Sequence, residues 1–235
     1  MEPRKLPDRY PDGVLDVRRW PRTEYVEAHR RQLELLEQRI RGEIGDVLVL
    51  TEHEAIITLG RGAARADLAR VALPMVEVER GGEATYHGPG QLVAYPILAL
   101  DESRRDLHRY LRDLEEVVIR VLAEVEVTGT RRPGLTGVWI GDKKVCSIGV
   151  AVRRWVAWHG LALNLSTDLG QFAQFRPCGL DASVMTNVAA HTELAPTRLL
   201  YEVLLVKHVC EVFGLELPPP PPAPPLDPRS LPILG

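Results

Sequence analysis

Cysteine, lysine and long apolar runs are all scarce in this chain, and each shortage excludes something. The three cysteines, Cys146, Cys178 and Cys210, are an odd number in 235 residues. They are too few for a disulfide framework, and no two stand at zinc-finger spacing. Such usage fits a reducing, cytoplasmic setting, where a thiol is either buried filler or a reagent. No stretch approaches the roughly 18 consecutive apolar residues of a membrane helix. The opening Met1-Glu2-Pro3-Arg4-Lys5 lacks the apolar core of a secretory signal. Neither sign of charge is in excess: 29 Lys+Arg face 32 Asp+Glu, a net charge of −3, which argues against a dedicated nucleic-acid binder. Lysine occurs only at Lys5, Lys143, Lys144 and Lys207. Two adjacent lysines in an arginine-dominated chain raise the question of what arginine could not do there. What remains is an ordinary globular composition, 45% hydrophobic and 26% charged, long enough for one large domain or two small ones.

Hydrophobic spacing predicts strands around Gly13–Trp20, Asp46–Thr51, Ala55–Leu59, Met75–Glu79 and Gln91–Ala99, the last placed at a sheet edge because Pro96 interrupts it. A helix capped by Thr23 follows the first strand, with Val26, Leu33, Leu36 and Ile40 on one face and Gly42 and Gly45 ending it. Asp101 is read as the cap of a second helix striped by Leu107, Tyr110, Leu111, Leu114, Val117, Val118, Val121 and Leu122. Gly137–Ile140, Lys144–Val152 and Val156–Asn164 alternate like strands, with Gly141-Asp142 as a hairpin turn. A short helix near Thr167–Phe175 precedes Pro177-Cys178-Gly179, and a last helix spans about Thr197–Phe213 and stops at Gly214. The pattern is α+β: a single domain over residues 1–216 and a tail over 217–235, whose proline run suits polyproline II alone.

Three segments carry chemistry. Arg80-Gly81-Gly82-Glu83-Ala84-Thr85-Tyr86-His87-Gly88-Pro89-Gly90-Gln91 holds four glycines in twelve residues. It suits either a loop whose backbone closely approaches a ligand or an ordinary turn containing a histidine. The Gly-Lys-Ser/Thr ending of a phosphate loop is absent. In Pro177-Cys178-Gly179, proline fixes the backbone before the thiol and glycine permits a tight turn after it. A catalytic thiol there needs a nearby cation or base; without one Cys178 is a small hydrophobe. Cys210, beside Val209, Val212 and Phe213, reads as core. In Gly141-Asp142-Lys143-Lys144-Val145-Cys146-Ser147-Ile148-Gly149, Lys144 is either solvated surface or, pointing inward, the cation for a thiolate. Only lysine of the two basic residues gives up its proton when desolvated. On a regular strand Cys146 shares a face with Lys144, which makes it a rival nucleophile unless a bulge intervenes.

Taken together, RGGEATYHGPGQ, GDKKVCSIGV, WHGLALN and FRPCGL, in that order and spacing, resemble the lipoyl(octanoyl) transferases of bacterial lipoate biosynthesis. The resemblance runs from about Thr58-Leu59-Gly60-Arg61 to Thr186. It implies a fold like that of the biotin and lipoate protein ligases, a mixed, mostly antiparallel sheet with flanking helices. It implies that Cys178 becomes acylated and that Lys144 is its acid/base partner. An acyl pocket is implied from Arg80, Gly81, Gly82, Glu83, Ala84, Thr85, Tyr86 and His87, from Ser147, Ile148 and Gly149, and from Gly160, Leu161 and Ala162. Members often carry alanine where Cys146 stands, and Val-Thr-Ser where Met185-Thr186-Asn187 stand.

The reaction so implied moves an octanoyl or lipoyl group from the phosphopantetheine of acyl carrier protein, through a Cys178 thioester, to the target lysine of a lipoyl domain. The acceptors would be the E2 subunits of 2-oxoacid dehydrogenases and the H protein of glycine cleavage. No cofactor, ATP or metal, no nucleic acid and no membrane is expected to take part, and a monomer is expected. His87 and His159 are candidates for orienting a carbonyl or a proton, and backbone amides near Cys178 or Gly149 for binding an oxyanion. Leu161, Leu163, Ile148 and Val150 are candidates for an apolar slot. A basic rim for acidic carriers is expected from Arg61, Arg65, Arg70, Arg131, Arg132, Arg153 and Arg154. Three other readings share parts of this chemistry: an ATP-dependent lipoate or biotin ligase, a thioesterase, and a carrier-binding protein without catalysis.

Overall fold

The computed structural model describes residues 13–64, 71–100, 102, 105–193 and 195–219. Lys5, Arg65, Arg70, Asp101 and the proline run beyond residue 219 lie outside the described residues. In chain order the elements are β1 (Leu15–Thr23), α1 (Tyr25–Ile40), β2 (Asp46–His53), β3 (Ile56–Leu59), β4 (Met75–Glu77), β5 (Ala84–His87) and β6 (Gln91–Ala99). Then come α2 (Leu107–Ala123), β7 (Thr130–Arg132), β8 (Leu135–Ile140), β9 (Lys143–Arg153), β10 (Val156–Asn164) and α3 (Arg198–Phe213). Seven strands form one sheet, β1-β2-β6-β10-β9-β8-β7, and three a smaller one, β4-β3-β5. Among the named strands of the described residues, β1–β2 and β3–β4 pair in parallel and the other strand pairs are antiparallel, so the sheets are mixed and mostly antiparallel as expected.

Period-two alternation decides what each face of the large sheet meets. Along β2, Leu48 and Leu50 face the cluster built by Leu114, Val117, Val121, Leu205 and Val209 of α2 and α3. Val47 and Val49 face the opposite cluster, where Leu35 and Leu36 of α1 meet Val93, Ile97 and Trp158. Beside it, a third cluster around Ile57, Tyr86, Phe172, Phe175 and Met185 anchors the small sheet and the turns after β10. Among the described residues no helix is long and apolar enough to cross a membrane.

Several local expectations give way. Thr23 does not cap α1: it pairs with His53 as the last residue of β1, its hydroxyl donates to the Pro21 carbonyl, and Glu24 takes the cap position. Asp106, not Asp101, caps α2, because its carboxylate accepts from the Arg109 amide at 3.0 Å. Pro96 is not at an edge, since β6 lies between β2 and β10. The β6–β10 register skips residues 158–160, opposite Pro96, where His159 takes a left-handed φ of +59°. The missing proline N–H therefore costs no pairing. Near Thr167–Phe175 the helix is a 3₁₀ stretch, Leu169–Gln174, and Leu107 of the α2 stripe is exposed. Cys210 is half-buried, against the α2–α3 core.

Candidate active site

Between the two sheets lies a cavity of about 280 Å³, and the register of the large sheet builds its floor. Ala162 pairs with Val93 on one side and Ser147 on the other; Gly160 pairs with Gly149 in the next row. Val93, Ser147, Gly149, Gly160 and Ala162 all line the cavity, with Ile148 and Leu161 between them. Small residues in neighbouring strands leave a trough that a slender apolar chain fits.

Cys178 enters this space from the turn Pro177–Gly179. Its backbone is left-handed (φ +53°, ψ +34°), a conformation a non-glycine residue adopts at a cost of about 1 kcal/mol or more. The turn is held by Gly179 and Leu180 amides donating to the carbonyls of Arg176 and Pro177, so neither amide is free for an oxyanion. Gly179 also has positive φ, and a Cβ there would stand 2.4 Å from a Glu83 carboxylate oxygen. The Ser147 hydroxyl lies 4.0 Å from the Cys178 sulfur.

The two lysines divide as strand alternation requires. Lys143 is exposed and its ammonium donates to the Ser183 carbonyl at 2.5 Å. Lys144 is only 2% exposed and lines the same cavity as Cys178. Cys146 does not join them. Val138 pairs with Cys146 but Trp139 pairs with Lys144, so β9 carries a bulge at Val145 that breaks the period between the two residues. Cys146 therefore belongs to the α2–α3 core, donates to the Ser147 carbonyl, and burial pushes its thiol up to about 12. Lys144 has room only because residue 137 is glycine. At φ +131°, a Cβ there would lie 2.6 Å from Lys144 Cε and 2.5 Å from the Cys146 carbonyl. The Gly137 amide is fixed in turn by donation to the wholly buried Glu115, which is ion-paired with Arg112 and Arg131.

Polar groups close the cavity. The Arg80 guanidinium donates to the Thr58 carbonyl and hydroxyl and to the Gly81 carbonyl, and it makes no ion pair among the described residues. Burial holds its pKa below the usual arginine value, and Cys178 is among the groups favouring its charge. His87 bonds Gln91 through Nδ1, and burial keeps it well below the usual histidine range, hence neutral. His159 is brought down to about 3 by burial, and neither ring nitrogen has a partner. Tyr25 and Tyr95 line the cavity although nothing in the sequence set them apart from core aromatics. Burial pushes the Tyr25 phenol up to about 12, and the Tyr95 hydroxyl lies 2.7 Å from His53 Nε2. Gly134, Leu135, Thr136 and Leu180 complete the wall.

Of the implied pocket residues, Arg80, Gly82, Glu83, Thr85, His87, Ser147, Ile148, Gly149, Gly160, Leu161 and Ala162 line the cavity, and Gly81, Ala84 and Tyr86 do not. On β5, Thr85 and His87 face the cavity while Ala84 and Tyr86 face the small-sheet core, Tyr86 edge-on to Phe172. Gly81 spends its amide on the Val150 carbonyl. Leu163 and Val150, candidates for the apolar slot, are in the α2–α3 core instead. Met185 lies in the small-sheet core and the Thr186 amide bonds the Lys144 carbonyl, so that departure falls outside the cavity wall. The basic rim is largely neutralised: Arg131 pairs with Glu115 and Glu116, Arg132 with Asp142, and Arg153 with Glu37. Arg61 and Arg154 remain exposed and unpaired among the described residues.

The lipoyl protein ligase A/B catalytic domain model matches residues 24–208. An octanoyltransferase of Nostoc sp. is 46% identical over 200 residues, covering 82% of this chain and 89% of the relative. A crystal structure of lipoate-protein ligase A bound with ATP superposes with a TM-score of 0.67 at 15% identity, over 88% of this chain and 87% of the other. A biotin protein ligase from Aquifex aeolicus in complex with biotin and ATP gives 0.52 at 15% identity, over 86% and 70%. These two share the fold.

Proposed function

The chain belongs to the lipoyl protein ligase A/B catalytic family, among its octanoyltransferases, and from that premise we propose that Cys178 carries the acyl group and Lys144 moves the protons. The activity is octanoyl transfer in protein lipoylation, an acyltransferase reaction on carrier and lipoyl-domain proteins. The donor is octanoyl on the phosphopantetheine of acyl carrier protein. The acceptor is the target lysine of a lipoyl domain, on an E2 subunit or a glycine-cleavage H protein.

The Cys178 thiolate attacks the thioester carbonyl, the C–S bond to pantetheine breaks, and the Lys144 ammonium protonates the leaving thiolate. An octanoyl-enzyme thioester and a neutral Lys144 remain. The acceptor amine then attacks that thioester, Lys144 takes back a proton from the amine, and the Cys178 thiolate is expelled as the amide forms. The cycle returns Lys144 and Cys178 to the protonation state in which it began. Thioester exchange is nearly isoenergetic and thioester to amide runs downhill, so no ATP, metal or other cofactor enters. Arg80, buried and without an ion pair in the same wall, adds positive potential where the thiolate forms.

One observation carries this reading: two residues 34 positions apart, Lys144 and Cys178, line one cavity whose floor is small and apolar. Intact-mass measurement after incubation with octanoyl carrier tests it. A gain of one octanoyl group is expected in the wild type and in Cys146→Ala, and none in Cys178→Ser. A wild type that stays unmodified while transferring octanoate overturns it. A Cys178→Ala variant forming amide from free octanoate and ATP points to the ligase chemistry instead.

A further inference from the structure

We propose that His29, Glu79 and His159 form a binding site for a divalent transition-metal cation of the zinc class, bordering the reaction cavity. The three residues come from α1, from the loop after β4 and from β10. One ligand atom from each lies within 4.8 Å of the others. His29 Nε2 and Glu79 Oε2 are already 3.0 Å apart. That is close to the roughly 3.3 Å separating two ligands of a tetrahedral site with bonds of about 2.0–2.1 Å.

His159 supplies the independent observation. It is 2% exposed, and both of its ring nitrogens are buried without a partner. Leaving such a polar group unsatisfied is costly, and both nitrogens are free to take a ligand. Its backbone is left-handed at φ +59°, in the gap of the β6–β10 ladder, and its ring stacks 4.0 Å from Trp158 and 5.8 Å from His29. Trp158 covers one face of the imidazole, His29 lies beside both rings, and the nitrogens sit at the ring edge. Two imidazoles and one carboxylate are the donor set of open zinc sites, which keep a further position for water. Neither Cys178 nor Lys144 supplies a ligand, so the site stands or falls apart from the acyl-transfer reading.

The test uses the full chain carrying Cys178→Ser, so that the cavity thiol cannot bind the metal. Titration with Co²⁺ is expected to give the visible ligand-field bands of a four-coordinate ion at one equivalent, without a thiolate charge-transfer band, and Zn²⁺ is expected to displace it. In that background His29→Ala and Glu79→Gln should each weaken binding at least about tenfold, with circular dichroism showing both variants folded. The proposal is overturned if Cys178→Ser alone abolishes binding, if no binding is seen at all, or if the His29 and Glu79 variants bind as tightly as their parent.

Discussion

Cys178 and Cys146 show how far a side chain's chemistry depends on the backbone that carries it. Cys178 lines the same cavity as Lys144, and Cys146 stands two residues after that lysine. One stands in a left-handed turn at the cavity, and the other is turned into the core by a one-residue bulge. Alkylation separates them. Near neutral pH iodoacetamide is expected to modify Cys178 and to leave Cys146 untouched in the native protein, because a thiol pushed up to about 12 is almost wholly protonated there. Peptide mass mapping reads the result, and comparable labelling of Cys146 would refute the assignment. Cys146→Ala should hold kcat/KM within about twofold, since no group of the cavity is lost. Cys178, Lys144 and most pocket residues were legible as motif residues. Tyr25 and Tyr95 were not, because an aromatic at a helix start or in a central strand reads as core whether or not its hydroxyl reaches a cavity.

At the level of elements, the hairpin of β8 and β9 does more than its sequence declares. The alternation of Lys144 and Cys146 predicts one shared face, and the register shift at Val145 overrides it. Bulges come from the competition between pairing and packing, which no single strand's sequence records. Gly137 is equally silent in sequence, yet it is where Lys144 finds its space. In Gly137→Ala the new methyl would intrude on Lys144 Cε and on the Cys146 carbonyl at 2.6 and 2.5 Å. We expect kcat/KM to fall on the order of 100-fold, as for a misplacement of about 1 Å at a reacting group. Gly141→Ala separates intrusion from strain. It too has positive φ (+54°) and lies in the same hairpin, but nothing stands within 4 Å of its would-be Cβ. That variant should lose about 1 kcal/mol of stability and keep its turnover. If both variants lose activity alike, strain and not the room for Lys144 is the cause.

Across the whole molecule, helices and most strand segments could be read from periodicity, whereas the strand order could not. β6, β10 and β2 meet across long stretches of chain, and a proline in β6 misdirected the reading because its compensating gap lies in β10. The same long-range assembly buries histidines that the sequence shows only as scattered letters. His53 spans it: Nδ1 meets the Thr23 carbonyl at the end of β1, and Nε2 meets the Tyr95 hydroxyl of β6. Burial brings it down to about 4, below its unfolded value of about 6.5. The unfolded chain therefore binds the extra proton first. The stability that neutral His53 contributes is complete above pH 6.5 and is lost as pH falls through 4. Between pH 7 and pH 5 this one group should cost roughly 2 kcal/mol of folding stability, and His87, also lowered by burial, acts in the same direction. Urea unfolding at the two pH values measures the loss. His53→Asn, which keeps a donor for the Thr23 carbonyl but has no proton to gain, should remove about that much of the difference while other titrating groups cancel in the comparison. A variant whose stability falls as steeply as the wild type's would mean that His53 is not what acid attacks.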